Sequence, residues 1–216
     1  IDPVSGMETY RFWRADDASF TTGVVNSGAW GATSFNFAGL VHAQKYYYRV
    51  EARDRVFNVC SFSAEVFSTQ DNVAPTVASY TDNVPDNNDP DWIYTRDKTV
   101  SFGPVSLTDD LSGVADVFIR VATDPTIPPP SPISQGWIGP AGTLTINLPT
   151  VTDADYVYAC VQLKDNVGNL SGWYRSDGIR VDLTPPGPVS IIIDGGNAFT
   201  ATTAVSLTLS AWDLNG

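Results

Sequence analysis

The chain has 216 residues, 43% of them hydrophobic and 12% aromatic, and a formal net charge of −12 from 24 acidic and 12 basic residues. It has no basic cluster to displace counterions from phosphates, which argues against nucleic acid and anionic membrane surfaces as partners. No apolar run approaches the ~20 residues that span a bilayer. A single histidine, His42, is the only side chain whose ordinary pKa lies near neutrality, which leaves little for acid–base catalysis.

Prolines and glycines fall between short apolar runs, the pattern of many strands joined by turns. The first strand follows Ser5-Gly6, where Tyr10 and Phe12 alternate with polar residues. Trp30 comes next, followed by Phe35 and Phe37. Tyr48, Val50 and Ala52 share one face of a further strand, and Arg49, Glu51 and Arg53 the other. Asp54 ends it, and Asp71-Asn72-Val73-Ala74-Pro75 reads as a short junction stiffened by proline. An acidic loop, Asp82–Asp91, follows, then strands at Val100/Phe102 and at Val117/Ile119/Val121 after Ser112-Gly113. The tract 124–132, with five prolines, separates that strand from Trp137, Leu144 and Ile146. Residues 157–165 form another strand, closed by Asp165-Asn166-Val167-Gly168-Asn169. Ile179 and Val181 alternate before a second junction, Asp182-Leu183-Thr184-Pro185-Pro186. Val205–Ala211 alternates strictly and leads to Trp212 and Asn215-Gly216. No stretch has helical period, so an all-β chain is expected.

These elements repeat. Asp54 and Asp165 lie 111 residues apart, and the same shift pairs Val50 with Val161, Asn58 with Asn169, Asp71 with Asp182 and Pro75 with Pro186. Trp30 recurs as Trp137, and the Ser-Gly of positions 5–6 recurs at 112–113 and, as Asn-Gly, at 215–216. The period is that of one β-sandwich domain. The chain is therefore divided into 1–73, holding only the later strands of one unit, a complete unit at 74–184, and the first strands of a further unit at 185–216. In the complete unit, Val117, Ile119, Leu144, Ile146, Val161 and Leu163 are expected in the core. The recurrence of Trp30 as Trp137 points to a core or inter-sheet role, while Trp92 and Trp173, which do not recur, are expected nearer the surface.

The run from Leu40 through Tyr46, Tyr48, Val50 and Ala52 resembles fibronectin type III repeats. Asp165-Asn166-Val167-Gly168-Asn169-Leu170-Ser171, followed by Asp182-Leu183-Thr184-Pro185-Pro186, is similar to bacterial surface immunoglobulin-like repeats. The resemblance implies tandem immunoglobulin-like or fibronectin type III-like antiparallel sandwiches of Greek-key type, in a large exported protein. It makes Tyr46 a tyrosine-corner residue, its hydroxyl tied to upstream backbone. Val157 stands opposite Tyr46 in the complete unit, with Tyr156 or Tyr158 as substitutes.

No residue is assigned a catalytic, cofactor-binding or metal-binding role. Clustered oxygen donors at Asp82–Asp91 suit Ca²⁺, but they also suit a solvated turn-rich loop. Asp54 and Asp165 read as carboxylates that fix turns rather than metal ligands. His42 has no partner at triad spacing and reads as an exposed loop residue. The repeat sets Cys60 opposite Ser171 and Cys160 opposite Arg49, so the two cysteines fall in different modules and are expected unpaired, Cys160 pointing off the core. The expected function is a non-catalytic spacer repeat, extracellular or on the cell surface, whose partners are its neighbouring modules. An adhesive or carbohydrate-binding module, with a cell-surface protein or glycan as ligand, and an accessory domain of a secreted hydrolase remain alternatives.

Overall fold

The computed structural model describes residues 6–28, 30, 31, 33–79, 94, 95, 99–102, 106–142, 144–148 and 150–213. The acidic loop at Asp82–Asp91 and Trp92 lie outside them. The chain divides into two compact units: Ile1–Ala74 with Asp109–Gly113, and Pro75–Thr108 with Val114–Gly216. Residues 185–216 fall within the second of these units. The only helical element among the described residues is a 3-10 turn at Asp194–Gly196. The all-β expectation therefore holds. Among the described residues, no helix is long and apolar enough to cross a membrane.

The first unit is one antiparallel sheet of four strands in the order β2-β1-β3-β4. These are β1 (Met7–Ala15), β2 (Val25–Asn26), β3 (Lys45–Asp54) and β4 (Val66–Thr69). Among the described apolar side chains of this unit, only Ala15, Tyr46 and Ala52 are buried. Residues 34–38, which carry Phe35 and Phe37, are extended but belong to no strand.

The second unit contains β5 (Thr76–Ser79), β6 (Tyr94–Thr95), β7 (Thr99–Phe102), β8 (Ser106–Thr108), β9 (Val114–Ala122), β10 (Ser134–Ile138), β11 (Leu144–Asn147), β12 (Tyr156–Asp165), β13 (Leu170–Arg175) and β14 (Ile179–Val181). One layer runs β10-β9-β12-β14-β6, with β13 also on β12 and β6 parallel to β14. The pairs β5–β8 and β7–β11 face it. Phe102, Ile146 and Leu148 meet Val117, Ile119, Val121, Val157, Val161 and Leu163 in a single core, and Val77, Leu107 and Leu144 pack against its edge. Five of the six expected core residues are buried there, and Leu144 flanks them. Each comes from the inward face of an alternating strand, because successive side chains point to opposite sides of a sheet.

The two sheets share their register. Phe12 pairs with Val50 as Ile119 pairs with Val161, and Tyr10 with Ala52 as Val117 with Leu163. Tyr46 pairs with Ser68 as Val157 pairs with Ile179. Gly6 and Gly113, which open the matching strands β1 and β9, both have positive φ, 72° and 83°. The repeat read from the sequence is thus a repeat of backbone geometry. A last hairpin, β15 (Ser190–Ile193) with β16 (Leu207–Ser210), pairs only with itself among the described strands, and all of its strand residues are exposed.

Candidate functional site

The titratable side chains at matched positions hold turns. Asp54 Oδ1 accepts the backbone N–H groups of Val56 and Asn58 at 2.9 and 2.8 Å, and its Oδ2 accepts the Asn58 side-chain amide at 2.8 Å. Asp165 accepts the N–H groups of Val167, Gly168 and Asn169 at 3.0, 2.6 and 2.8 Å, and the Asn169 amide at 2.7 Å. Burial pushes the Asp165 carboxyl up, but the donors from Asn169, Gly168 and Val167 outweigh it and leave it below the usual range. A carboxylate so surrounded by amides has its lone pairs committed to the backbone. The residue at the left-handed position of the turn is Phe57 (φ 71°) in the first unit and Gly168 (φ 102°) in the second.

The corner before β3 carries the tyrosine expected there. The Tyr46 hydroxyl accepts the Val41 N–H at 2.9 Å, five residues upstream. The corner before β12 has the same backbone bonds. Ala43 and Ala154 both take positive φ, 61° and 68°, and donate to the carbonyls of Gln70 and Val181, each at 2.8 Å. Neither Tyr156 nor Tyr158 substitutes for Tyr46; their rings stack on each other, 6.1 Å apart. Two carboxylates close this corner instead. Asp155 accepts the Thr152 N–H and hydroxyl at 2.7 and 2.8 Å, and Asp153 accepts the Leu183 N–H and the Thr184 hydroxyl at 2.7 and 2.6 Å.

His42 occupies the position matching Asp153 and is not a free loop residue. Its Nδ1 accepts the Asn72 N–H at 3.3 Å, and its Nε2 lies 3.0 Å from Asp110 Oδ2. Asp71 Oδ1 is 3.4 Å from Nδ1, while Asp71 also receives the N–H groups of Val73 and Ser112. His42, Asp71 and Asp110 could each offer a metal-ligating atom within 4.8 Å of one another. The imidazole meets the two carboxylates with different nitrogens, however, and these point to opposite edges of the ring. The arrangement is a carboxylate–imidazole–carboxylate chain, not a set of donors converging on one ion.

The matched tryptophans lie on the outer faces of the sheets, a correction to the core or inter-sheet placement. Trp137 is 49% exposed and packs on Phe118, with ring centroids 5.0 Å apart. The Arg11 guanidinium lies 4.4 Å over the Trp30 ring. The reason is parity: Arg11 and Phe118 are the outward neighbours of Phe12 and Ile119, and the tryptophans follow them across the strand pair. Trp173, half-buried, extends the second face with Phe118 at 6.0 Å and Arg120 at 5.1 Å. The proline tract turns back over this face, where the Pro129 carbonyl accepts Arg120 at 3.4 Å and the Pro125 carbonyl accepts Arg175.

Cys160 points off the core as its match with Arg49 implied, but it is buried beneath that tract, its Sγ 4.0 Å from the Thr126 carbonyl. Cys60 is exposed, and both thiols are free. The Cys60 sulfur receives the Ala52 N–H at 3.1 Å, as the Ser171 hydroxyl receives the Leu163 N–H at 2.9 Å.

A concave apolar surface lies in the first unit. Phe12, Phe35, Phe37, Tyr48, Val50 and Val66 line a groove of about 680 Å³. It was not anticipated as a groove, because alternation marks an inward face without showing what covers it.

No protein-family profile and no curated protein sequence matches the chain. Among solved structures, the chain is similar to the FN1-FN3 domains of chicken CNTN1, with 11% identity and a TM-score of 0.34 over 97% of this chain and 67% of that one. It is also similar to a tetra-tandem repeat in the extending region of a large adhesion protein, with 13% identity and a TM-score of 0.33 over 98% of this chain and 57% of that one. At such values the fold rests on the chain's own strand order and register.

Proposed function

We propose that the chain is a non-catalytic spacer segment of a larger exported surface protein, its units serving as structural repeats. The observation that supports this most is where the recurrent polar chemistry goes. Asp54 and Asp165 close matching turns, and His42 and Asp153 hold matching junctions. Side chains bound to backbone in this way maintain a module. The test is surface labelling and protease shaving of intact cells carrying the full-length protein. Accessible, shaved modules are expected, and a protein confined to the cytoplasm overturns the reading. So does turnover of any ester, peptide or glycoside by the purified chain.

A second reading, glycan binding, is favoured by the outer face of the second unit. Trp137 is half-exposed beside Phe118, with the Lys164 ammonium 4.5 Å over its ring. Aromatic faces of this kind stack on sugar rings. A glycan array probed with the chain and with Trp137→Ala decides it: binding that depends on Trp137 establishes this reading, and a blank array removes it.

A further inference from the structure

Arg120 and Arg175, far apart in the sequence, stand in one row on the outer face of the second unit. Each pairs with Cys160 of β12, Arg120 from β9 and Arg175 from β13. The next row runs Trp137, Phe118, Gln162 and Trp173 across β10, β9, β12 and β13. Its rings form one strip: Phe118 lies 5.0 Å from Trp137 and 6.0 Å from Trp173, and the Arg120 guanidinium lies 5.1 Å over Trp173. Trp137 and Arg175 are exposed, and Phe118, Arg120 and Trp173 half-buried.

Both guanidiniums are held by neutral acceptors. Arg120 donates to the Pro129 carbonyl at 3.4 Å, and Arg175 to the carbonyls of Pro125 and, at 3.3 Å, Ser176. Among the described residues neither forms an ion pair, in a chain with 24 acidic residues against 12 basic ones. Asp116, which β9 also carries on this face, is matched by Lys164 at 2.7 Å, and Asp124 of the proline tract is turned to the Thr126 N–H and hydroxyl. In the first unit Trp13 stands where Arg120 does, so this cation is not part of the repeated framework. A guanidinium has five N–H donors in a planar fork that fits a carboxylate. The carbonyls occupy only some of them and fix where the rest stand.

We infer that this face binds an acidic polysaccharide, its rings stacking on the Trp137–Phe118–Trp173 strip and its uronate carboxylates received by Arg120 and Arg175. The inference rests on the glycan-binding reading and names the class of glycan. The aromatic strip supplies apolar contact for sugar rings, and the unpaired cations beside it supply the charge complement. An extended peptide has no strand edge to join here, because β9 and β12 are already paired on both sides. The chain's net charge of −12 does not forbid an anionic ligand, since exposed charges more than about 8 Å away are largely screened at physiological salt.

Affinity electrophoresis of the 216-residue chain tests it, in native gels holding polygalacturonate, alginate, hyaluronate, dextran, dextran sulfate or polyglutamate. At least one of the three polyuronates is expected to retard the chain, and dextran and polyglutamate are not. Arg120→Gln and Arg175→Gln should each weaken that retardation about tenfold, the loss of a charge-assisted hydrogen bond. Trp137→Ala should weaken it too. Retardation by dextran alone leaves glycan binding standing and overturns the acidic assignment, whereas no retardation by any of the polymers removes both. Polyglutamate acting as strongly as the polyuronates overturns the inference in favour of bare charge. Tighter binding of dextran sulfate than of every polyuronate overturns the carboxylate assignment, and retardation that survives both arginine substitutions overturns the site. If Arg120→Gln is unfolded by circular dichroism, the exposed Arg175→Gln decides alone.

Discussion

His42 and Asp153 stand 111 residues apart and do the same work with different chemistry: each accepts a backbone N–H of the junction that leaves its unit, Asn72 at 3.3 Å and Leu183 at 2.7 Å. Asp153 also takes the Thr184 hydroxyl, so its loss strands two donors. Asp153→Ala is expected to destabilise the second unit by about 1–3 kcal/mol, and Asp153→Asn by less, because an amide oxygen can keep one bond. Urea denaturation of the three proteins checks the order; equal midpoints would remove the junction-holding role.

Tyr46→Phe deletes the hydroxyl that receives the Val41 N–H while leaving the buried ring in place. The expected cost is about 1 kcal/mol. Faster exchange of the Val41 amide should accompany it, with the second unit unchanged.

At the turn after β12, Gly168 has φ 102° and open space where a Cβ would stand, so a side chain there meets backbone strain and no clash. Gly168→Ala is expected to cost about 1–2 kcal/mol. At the matching Phe57, already at φ 71°, Phe57→Gly relieves strain but removes the ring under Arg53, whose guanidinium is 4.8 Å from its centroid. The two effects oppose, and a change below about 1 kcal/mol is expected. Thermal melts of both variants distinguish the sites.

Among the described residues, four carboxyls are held below their ordinary range: Asp17 by the Thr22 N–H and the Thr21 hydroxyl, Asp71 by Ser112 and Val73 with His42 adding, Asp124 by the Thr126 hydroxyl, and Asp165 by donors that outweigh its burial. The unfolded chain therefore binds more protons near the ordinary carboxylate pKa of about 3.9. Their stabilisation is fully present above that value and is lost as pH falls through the lowered pKa values of the folded state. Denaturation midpoints should be level from pH 7 to 5 and drop below pH 4; a midpoint that rises on acidification would contradict the assignment.

Burial pushes the Cys160 thiol up, against the pull of Arg175 and Arg120, whereas Cys60 is exposed. A disulfide-exchange reagent should titrate one thiol in the native chain, Cys60, and two after denaturation. Cys60→Ser should be nearly neutral, because a serine hydroxyl already fills the matching role at Ser171.

Alternation and repetition were enough to place the strands, their inward faces and the turn role of Asp54 and Asp165, because these follow from local period and from chemistry within a few residues; the Tyr46 corner was implied by the resemblance to fibronectin type III repeats. Whether a face is covered was a tertiary matter. Phe12 and Ile119 have the same pattern around them, yet only Ile119 is fully buried, because Phe102 and Ile146 arrive from distant strands. The outward position of Trp137 likewise came from cross-strand pairing with Phe118, which spacing along one strand does not specify. His42 took an aspartate's place because its position in the corner faces the Asn72 N–H, and any side chain with an acceptor at that reach can serve. Sequence determines which side chains share a face; tertiary structure decides what that face meets, since the partner comes from residues whose separation along the chain carries no period.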